Sequence, residues 1–232
     1  MDRKKFIKNL GVGALTLPIV GTIVASQSYQ KVDSKRTSND DDNCKTSPRE
    51  TAGPFPLKST ADVVRENIIG DRIGVPLIIN ITIQDANNNC KPLPNAFVDI
   101  WHCDAHGNYS EYAWQNDGNF TNKNFLRGRQ TTDMHGNVNF VSIYPGWYPG
   151  RAPHLHIEVL DQKDRSLLVT QIAFPDTISN AVYTSENYDG AADTSNKRDG
   201  VFRNSLNRNM ADKLTGNTTD GYVLTKVIKV SK

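Results

Sequence analysis

Cysteine is scarce in this sequence: a chain of 232 residues holds only Cys44, Cys90 and Cys103. Their separations match neither a zinc ribbon nor a redox Cys-x-x-Cys pair, so both of those kinds of site are excluded. In an exported protein, two of the three would pair in a disulfide and leave one thiol free. Three buried thiols are the alternative, and the spacing does not distinguish between these outcomes.

The sequence also lacks a cluster of basic residues beyond its first 30 positions. The formal net charge is +2, but residues 1–30 alone carry +3, so the remaining residues together carry −1. A near-neutral domain without a lysine or arginine patch has little electrostatic attraction for a phosphate backbone. Nucleic acid is therefore not expected as a partner.

The apolar run near the N-terminus is too short for a membrane span. It covers about 15 residues from Gly11 to Ala25 and contains Pro18, whereas a spanning helix needs about 20. It follows the basic stretch DRKKFIK, which is similar to a twin-arginine export signal with Lys4 in place of the second arginine. We therefore expect residues 1–28 to be an export signal and the protein to be periplasmic or extracellular, without lasting membrane association. A retained membrane anchor is the alternative.

Large apolar residues are nearly missing from residues 29–48, which predicts a polar linker. From residue 49 onward, strand signals alternate with turn signals, so residues 49–232 are expected to form one folded domain. The predicted strands are Val75–Asp85, Ala96–Asp104, Phe125–Asp133, Asn137–Pro145, His154–Asp161, Leu167–Pro175 and Gly221–Val230. Seven short strands with few helical periods predict an all-β fold, an antiparallel β-sandwich.

The segments between these strands predict turns and long loops. Asp104–Asn108 and Asp133–Asn137 share the pattern Asp-x-His-Gly-Asn, which favours tight turns, and we expect both to be hairpin corners. Residues 177–220 are rich in Asn, Ser, Asp and Gly, which predicts long loops with one short helix around Leu206–Leu214. Long loops on a rigid sheet are common places for functional sites.

Two histidines, His154 and His156, occupy alternate positions of one predicted strand. Residues i and i+2 of a strand point to the same face, so both imidazoles can bind one metal ion. Iron, copper and zinc all accept imidazole nitrogen, so the pair alone does not identify the metal. A solvent-facing polar stripe, opposite apolar residues of the same strand, is the structural alternative.

The other donors expected near this pair are phenols. Tyr148 precedes His154 by six residues, in a loop rich in proline and glycine, and Tyr109 ends the turn after the second predicted strand. No carboxylate or cysteine has the spacing that would complete a site with the histidines, which argues against an iron(II) triad of two histidines and one carboxylate. Ionising a phenol takes a strongly charged ion beside it, so this donor set favours iron(III).

Four segments and an N-terminal motif resemble the intradiol ring-cleavage dioxygenases, the family of catechol and protocatechuate dioxygenases. The segments are VDIWHCDAHGNYS (98–110), FLRGRQTTDMHGNVNF (125–140), IYPGWYPGRAPHLHIEV (143–159) and TQIAFP (170–175). The motif TAGPFPL (51–57) is similar to the pocket-entrance segment of that family. The resemblance covers roughly residues 48–176, with its motifs in the family's order.

This resemblance implies a β-sandwich that holds non-haem Fe(III) with four ligands from one chain: Tyr109, Tyr148, His154 and His156. It implies a small catecholic substrate that binds with O₂ and displaces Tyr148. The ring would then open between its hydroxylated carbons to a muconate-type dicarboxylic acid. The sequence leaves open which catechol is used and whether the chain forms a homo-oligomer.

The resemblance also implies catalytic roles for Arg151, which would stabilise negative charge on the substrate ring, and for Gln171 in the same pocket. The remaining polar and aromatic residues are expected to have structural roles. We expect solvated or capping positions for His102, His106 and His135, packing for Trp101 and Trp147, and ion pairs with carboxylates for Arg127 and Arg129. Two alternatives to the dioxygenase remain: a non-catalytic β-sandwich binding module, and a zinc or copper enzyme that uses only the histidine pair.

Overall fold

A computed structural model describes residues 44–232 of the chain. The predicted export signal and most of the predicted linker therefore lie outside the described residues. Among residues 44–232, no helix combines the length and apolar character needed to cross a bilayer.

The described residues form two β-sheets with nine strands. The strands are β1 (Pro76–Asp85), β2 (Lys91–Pro92), β3 (Phe97–Trp101), β4 (Arg127–Thr131), β5 (Asn137–Ile143), β6 (His154–Leu160), β7 (Ser166–Ala173), β8 (Lys213–Asn217) and β9 (Gly221–Val230). Seven of the nine coincide with the predicted strands. The short strand β2 and the strand β8 were not predicted.

The first sheet is built around β1, which has β9 along one edge and β5 and β2 along the other. The pairing of β1 with β9 is parallel from Leu77 opposite Tyr222 to Asp85 opposite Val230. The predicted antiparallel β-sandwich therefore contains one parallel pair among the described strands. Parallel neighbours need a long connection, and the other seven strands lie between β1 and β9 in the sequence.

The second sheet is antiparallel throughout, in the order β4-β3-β6-β7. Strand β6 is buried along nearly its whole length. Its apolar residues Leu155, Ile157 and Val159 join the main core, whereas His154 and His156 point to the opposite face. Loops cover that second face, so the histidines are buried although they do not belong to the core.

The main core lies between the two sheets, as expected for a sandwich. Alternate residues of β1 are fully buried, because a half-buried strand directs every second side chain inward. The inward residues of the two sheets belong to one cluster, which includes Leu77, Ile79, Ile81, Ile83, Val98, Ile100, Val138, Phe140, Leu155, Ile157 and Leu224. The predicted β-sandwich is confirmed.

The two Asp-x-His-Gly-Asn segments are turns of the same kind. In Asp133–Asn137 the carboxylate of Asp133 accepts hydrogen bonds from two backbone N–H groups of the turn, and Asp104 does the same in Asp104–Asn108. However, the prediction of hairpin corners is wrong for both. The Asp133 turn connects β4 of one sheet to β5 of the other, and the Asp104 turn starts a long loop that ends at β4.

The region 177–220 contains more regular structure than the sequence predicted. A helix, α1, spans Asp176–Val182, and a short helix, α2, spans Leu206–Asn209. The predicted helix at Leu206–Leu214 is therefore too long. Met210 adopts an extended conformation that ends α2, and Leu214 already pairs with β9 as part of β8.

The first described residues are attached to the sandwich, although the sequence analysis placed them in the linker. Cys44 forms a disulfide with Cys90. The backbone N–H of Ser47 donates to the carbonyl of Lys229 at 2.8 Å, and the Ser47 hydroxyl accepts from the Lys229 N–H at 2.9 Å. Cys103 is the buried free thiol.

Candidate metal centre

His154 and His156 lie side by side on the loop-covered face of β6. Their Nε2 atoms are 3.1 Å apart, and the hydroxyl of Tyr148 lies 3.0 Å from Nε2 of His154. The Pro- and Gly-containing loop before β6 bends back over the strand, as the sequence predicted, and places Tyr148 there. Both imidazoles are buried, which contradicts the alternative of a solvent-facing polar stripe.

Tyr109 comes to the same place from the loop after β3. Its ring centroid is 5.8 Å from that of Tyr148 and 6.2 Å from that of His156. Gly107 allows this approach: it has a φ of +80°, and a Cβ atom there would lie 2.4 Å from the carbonyl oxygen of Trp147. The structure thus brings together the four side chains that the sequence analysis named as ligands.

The two histidines are held in their neutral form. Nδ1 of His154 lies 2.6 Å from the carbonyl oxygen of Ala152, which only accepts hydrogen bonds, so Nδ1 carries the proton and Nε2 keeps its lone pair. Burial, and then the nearby guanidinium of Arg151, lowers the pKa of His154 to about 3. Burial, and then His154, lowers the pKa of His156 as well.

Two residues restrict the ring of His156. The indole of Trp101 stacks on it, with ring centroids 5.0 Å apart and planes 2° from parallel. The backbone of Gly53 also approaches the ring. Gly53 has a φ of +71°, and a Cβ atom there would lie 3.0 Å from Cε1 of His156. Trp101 packs as predicted, and the motif TAGPFPL contributes Gly53 to the support of a histidine ring.

The two phenols need a cation before they can ionise. Burial raises the pKa of Tyr148 to about 12, and burial also raises the pKa of Tyr109. The Tyr109 hydroxyl is buried and has no hydrogen-bond partner of normal geometry among the described residues, although the Tyr148 hydroxyl lies near enough to raise its pKa further after burial. A buried polar atom of this kind is costly unless something binds it. A strongly charged metal ion would satisfy the Tyr109 oxygen and stabilise both phenolates.

Other donor sets for a metal are not available. In the described part of the chain, no group of three or more His, Cys, Asp and Glu side chains is arranged to hold a metal ion. An ion bound to His154 and His156 would therefore have to take oxygen from the tyrosines. The residues present fit iron(III), because two anionic phenolates offset much of its charge in a largely buried site.

Arg151 and Gln171 lie together beside these donors. Nη1 of Arg151 is 3.4 Å from both the Tyr148 hydroxyl and Nε2 of His154. Nη2 of Arg151 donates to the side-chain oxygen of Gln171 at 2.6 Å. Gln171 pairs directly opposite His156 in the sheet, and its amide donates to the carbonyl of Thr51. The structure therefore places both predicted pocket residues next to the candidate ligands.

The sequence analysis missed Asp199. Its side chain is completely buried and lies 2.9 Å from Nε of Arg151. It also accepts hydrogen bonds from the backbone N–H groups of Ala152 and Val201. No motif marks this aspartate, because it belongs to an irregular segment 48 residues after the arginine that it contacts.

Most of the residues expected to be structural are so. Arg129 forms a buried ion pair with Asp99 at 2.6 Å, and Arg127 lies 3.4 Å from the carboxylate of Glu111, as predicted for both. The exposed His106 pairs with an aspartate, His135 lies exposed in its turn, and the Trp147 indole donates to a backbone carbonyl. The expected solvated or capping position of His102 is wrong. The imidazole is buried, and its two ring nitrogens are hydrogen-bonded to the Ser142 hydroxyl and to the Cys103 carbonyl.

Comparison with known proteins identifies relatives of this domain. A family model described as "Dioxygenase" matches residues 53–185. That span contains the four candidate ligands, Arg151 and Gln171, and it ends before Asp199.

Two curated relatives match over part of the chain. The protocatechuate 3,4-dioxygenase beta chain of Burkholderia cepacia is 32% identical over 134 residues, which is 54% of this chain and 54% of that protein. The catechol 1,2-dioxygenase of Acinetobacter baylyi is 34% identical over 104 residues, 44% of this chain and 32% of that protein. The matches thus span about half or less of these relatives.

A solved structure is similar over more of its length. The intradiol ring-cleavage dioxygenase from Tetranychus urticae has a TM-score of 0.72 and 27% sequence identity. The match covers 81% of this chain and 95% of that one.

Proposed function

The chain belongs to the intradiol ring-cleavage dioxygenases, and on that premise we propose that it opens a catechol-type ring with O₂, using a non-haem iron(III) ion. Cleavage falls between the two hydroxyl-bearing carbons and gives a muconate-type dicarboxylic acid. One observation carries the proposal. Nε2 of His154 lies 3.0 Å from the Tyr148 hydroxyl and 3.1 Å from Nε2 of His156, and the buried Tyr109 side chain packs beside them.

The iron, when bound by these four side chains, makes a chelated catechol electron-rich enough to react with O₂. The chain's own residues have separate tasks. Tyr109 is completely buried and packs against Phe55 at a centroid distance of 5.1 Å, so it serves as a fixed ligand. Tyr148 is only partly buried, in a loop before β6, so it is the phenol that can move aside and take up a substrate proton at its hydroxyl.

Arg151 provides the fixed positive charge of the pocket. Its Nη1 atom already lies 3.4 Å from the Tyr148 hydroxyl, the position that an oxygen of the substrate would approach. A preorganised cation beside developing negative charge lowers the barrier, because it needs no reorientation during the reaction. Gln171 holds the other arm of the guanidinium and contacts the Thr51 carbonyl, so it orients Arg151 and closes the pocket beside it.

Two measurements on purified, iron-loaded protein test this proposal. Iron(III) bound to tyrosinate should give a burgundy protein with a visible absorption band. O₂ uptake against a panel of catechols, with products identified by mass, should show both oxygen atoms in a ring-opened dicarboxylic acid. A colourless iron-loaded protein would reject the tyrosine ligands and favour a zinc or copper site. A coloured protein that consumes no O₂ with any catechol would favour a non-catalytic binding module.

We also propose that the protein works outside the cytoplasm, on aromatic compounds in the periplasm or the medium. The basic and apolar leader supports export, and the Cys44–Cys90 disulfide supports an oxidising compartment. Fractionation of the source cells, followed by thiol titration of the recovered protein, tests this. A mature protein found only in the cytoplasm with three free thiols would contradict it.

A further inference from the structure

Residues 189–209, here named the covering segment, lie beyond the part of the chain that the family model matches. They nevertheless contact several residues in and around the candidate metal centre. The contacts are Asp189 with His106, the Gly190 carbonyl with the Trp147 indole, Asp193 with the Gly150 N–H, Asp199 with Arg151, Phe202 with His154, and Asn209 with the Gln171 carbonyl. The partners are pocket residues or their neighbours in the sequence.

The contact between Asp199 and Arg151 is the largely buried ion pair among these. The aspartate side chain has no exposed surface and that of the arginine is 14% exposed. Both carboxylate oxygens lie near Nε of Arg151, at 2.9 and 3.1 Å. Nη1 is therefore left to face Tyr148 and His154, and Nη2 is left for Gln171.

We propose that Asp199 is a positioning residue for the ring-cleavage reaction, which fixes the plane of the Arg151 guanidinium so that Nη1 faces the substrate position. This inference rests on the proposed function. Arginine presents its donors in a rigid planar fork, so a partner at Nε sets the direction of both Nη groups. Because Asp199 is itself held by the N–H groups of Ala152 and Val201, the guanidinium is directed by a carboxylate that cannot rotate away.

The charge of Asp199 matters as well as its position. An arginine in a site that excludes water is costly without a counter-charge, and a partner lost from a buried pair leaves the other charge uncompensated. Without the carboxylate, Arg151 would turn toward solvent or toward another acceptor. Nη1 would then no longer lie within 3.4 Å of the Tyr148 hydroxyl.

The substitution Asp199→Asn tests this, because it keeps the side-chain size and one acceptor oxygen but removes the charge. We expect kcat to fall about 10- to 100-fold, since small misplacements of a catalytic group have effects of this size. KM, iron content and the visible spectrum should change little, because Asp199 contacts none of the four candidate ligands. The matched control is Asp220→Asn, an exposed aspartate in the turn between β8 and β9, which should behave as the unchanged protein does.

Two further measurements separate positioning from a general structural role. In a double-mutant cycle, Asp199→Asn should have no additional effect on kcat once Arg151→Ala is present, since it acts through Arg151. In the iron-free protein, the NMR signal of the Arg151 Nε–H, identified by its loss in Arg151→Lys, should exchange slowly. That protection should be lost in Asp199→Asn and kept in Asp220→Asn.

The outcomes are distinct. Wild-type turnover by Asp199→Asn, an additive loss in the double mutant, or an unprotected Arg151 Nε–H in the starting protein would each overturn the inference. So would a loss of iron in Asp199→Asn that accounts for its lost activity. If no protein in the series opens a catechol ring, the proposed function fails, and the Nε–H measurement still decides whether Asp199 fixes Arg151.

Discussion

Replacing Tyr109 with phenylalanine should make the iron-free protein more stable and the iron-loaded protein less stable. The Tyr109 hydroxyl is buried without a hydrogen-bond partner, and an unsatisfied buried polar group costs about 1–3 kcal/mol. Phenylalanine keeps the ring packing and removes that cost. The free energy of unfolding of the iron-free protein should therefore rise by about 1–2 kcal/mol.

With iron present, the same substitution removes one of four ligands. A ligand at 100 times its dissociation constant stabilises the folded state by about 2.7 kcal/mol. A hundredfold loss of iron affinity would therefore remove most of that stabilisation, and the tyrosinate absorption should weaken or shift. The two changes in stability have opposite signs because the Tyr109 oxygen destabilises the fold without a metal and stabilises it when a metal is bound.

Urea unfolding of both proteins, with and without iron, measures the effect. Tyr144→Phe is the matched control, because the equally buried Tyr144 hydroxyl is 2.8 Å from the Ser179 hydroxyl. That variant should lose about 1 kcal/mol in both states. If iron-free Tyr109→Phe is destabilised as much as Tyr144→Phe, the Tyr109 oxygen is already satisfied without a metal, and the reasoning from an unsatisfied hydroxyl is wrong.

Three other predictions follow from the same geometry. Gly53→Ala should weaken iron retention and cost about 1–3 kcal/mol of stability, because Gly53 has a positive φ and contacts His156. The control Gly150→Ala has a φ of +82° and no atom within 4 Å of its Cβ, so it should keep its iron. Equal iron contents of the two variants after dialysis would refute the role of the Gly53 contact. Iron binding near pH 7 should release about two protons, one from each phenol, because the phenol pKa values are raised and that of His154 is about 3. Affinity should therefore rise with pH, and potentiometric titration showing no release would contradict this. Reducing the Cys44–Cys90 disulfide, whose cysteines are 46 residues apart, should cost about 4 kcal/mol of stability, and an unchanged melting temperature would contradict that.

Local pattern was enough to predict the strands and the grouping of the site. Alternating apolar residues define β1 and β9, and the spacing of His154 and His156 requires a common face in any strand. The phenols came from the chemistry of the missing ligands and from their motifs. The strands and the histidine pair depend on residues close in sequence, so a single sequence reveals them, whereas Tyr109 was found through the resemblance of its motif.

The features that were missed depend on distant contacts. Nothing local in β9 indicates that its neighbour is β1 in a parallel pairing, since that partner lies more than a hundred residues earlier. The turn at Asp133 has the hydrogen bonds of a tight turn whether the chain continues in the same sheet or crosses to the other. Cys44 and Asp199 acquire their partners only through the closed fold, and both lie in polar segments without periodicity.

The two phenols differ in a way that divides the site into a fixed half and a half that can move. Tyr109 is completely buried and packs near His156, whose ring is held by Trp101 and Gly53. Tyr148 lies on a partly exposed loop, and its hydroxyl is within 3.4 Å of Arg151. A substrate that displaces one ligand should therefore displace Tyr148, into the reach of a guanidinium that Asp199 already directs. Because Asp199 lies outside the matched family segment, the residue that directs the guanidinium of this second half lies beyond the motifs that carry the four candidate ligands.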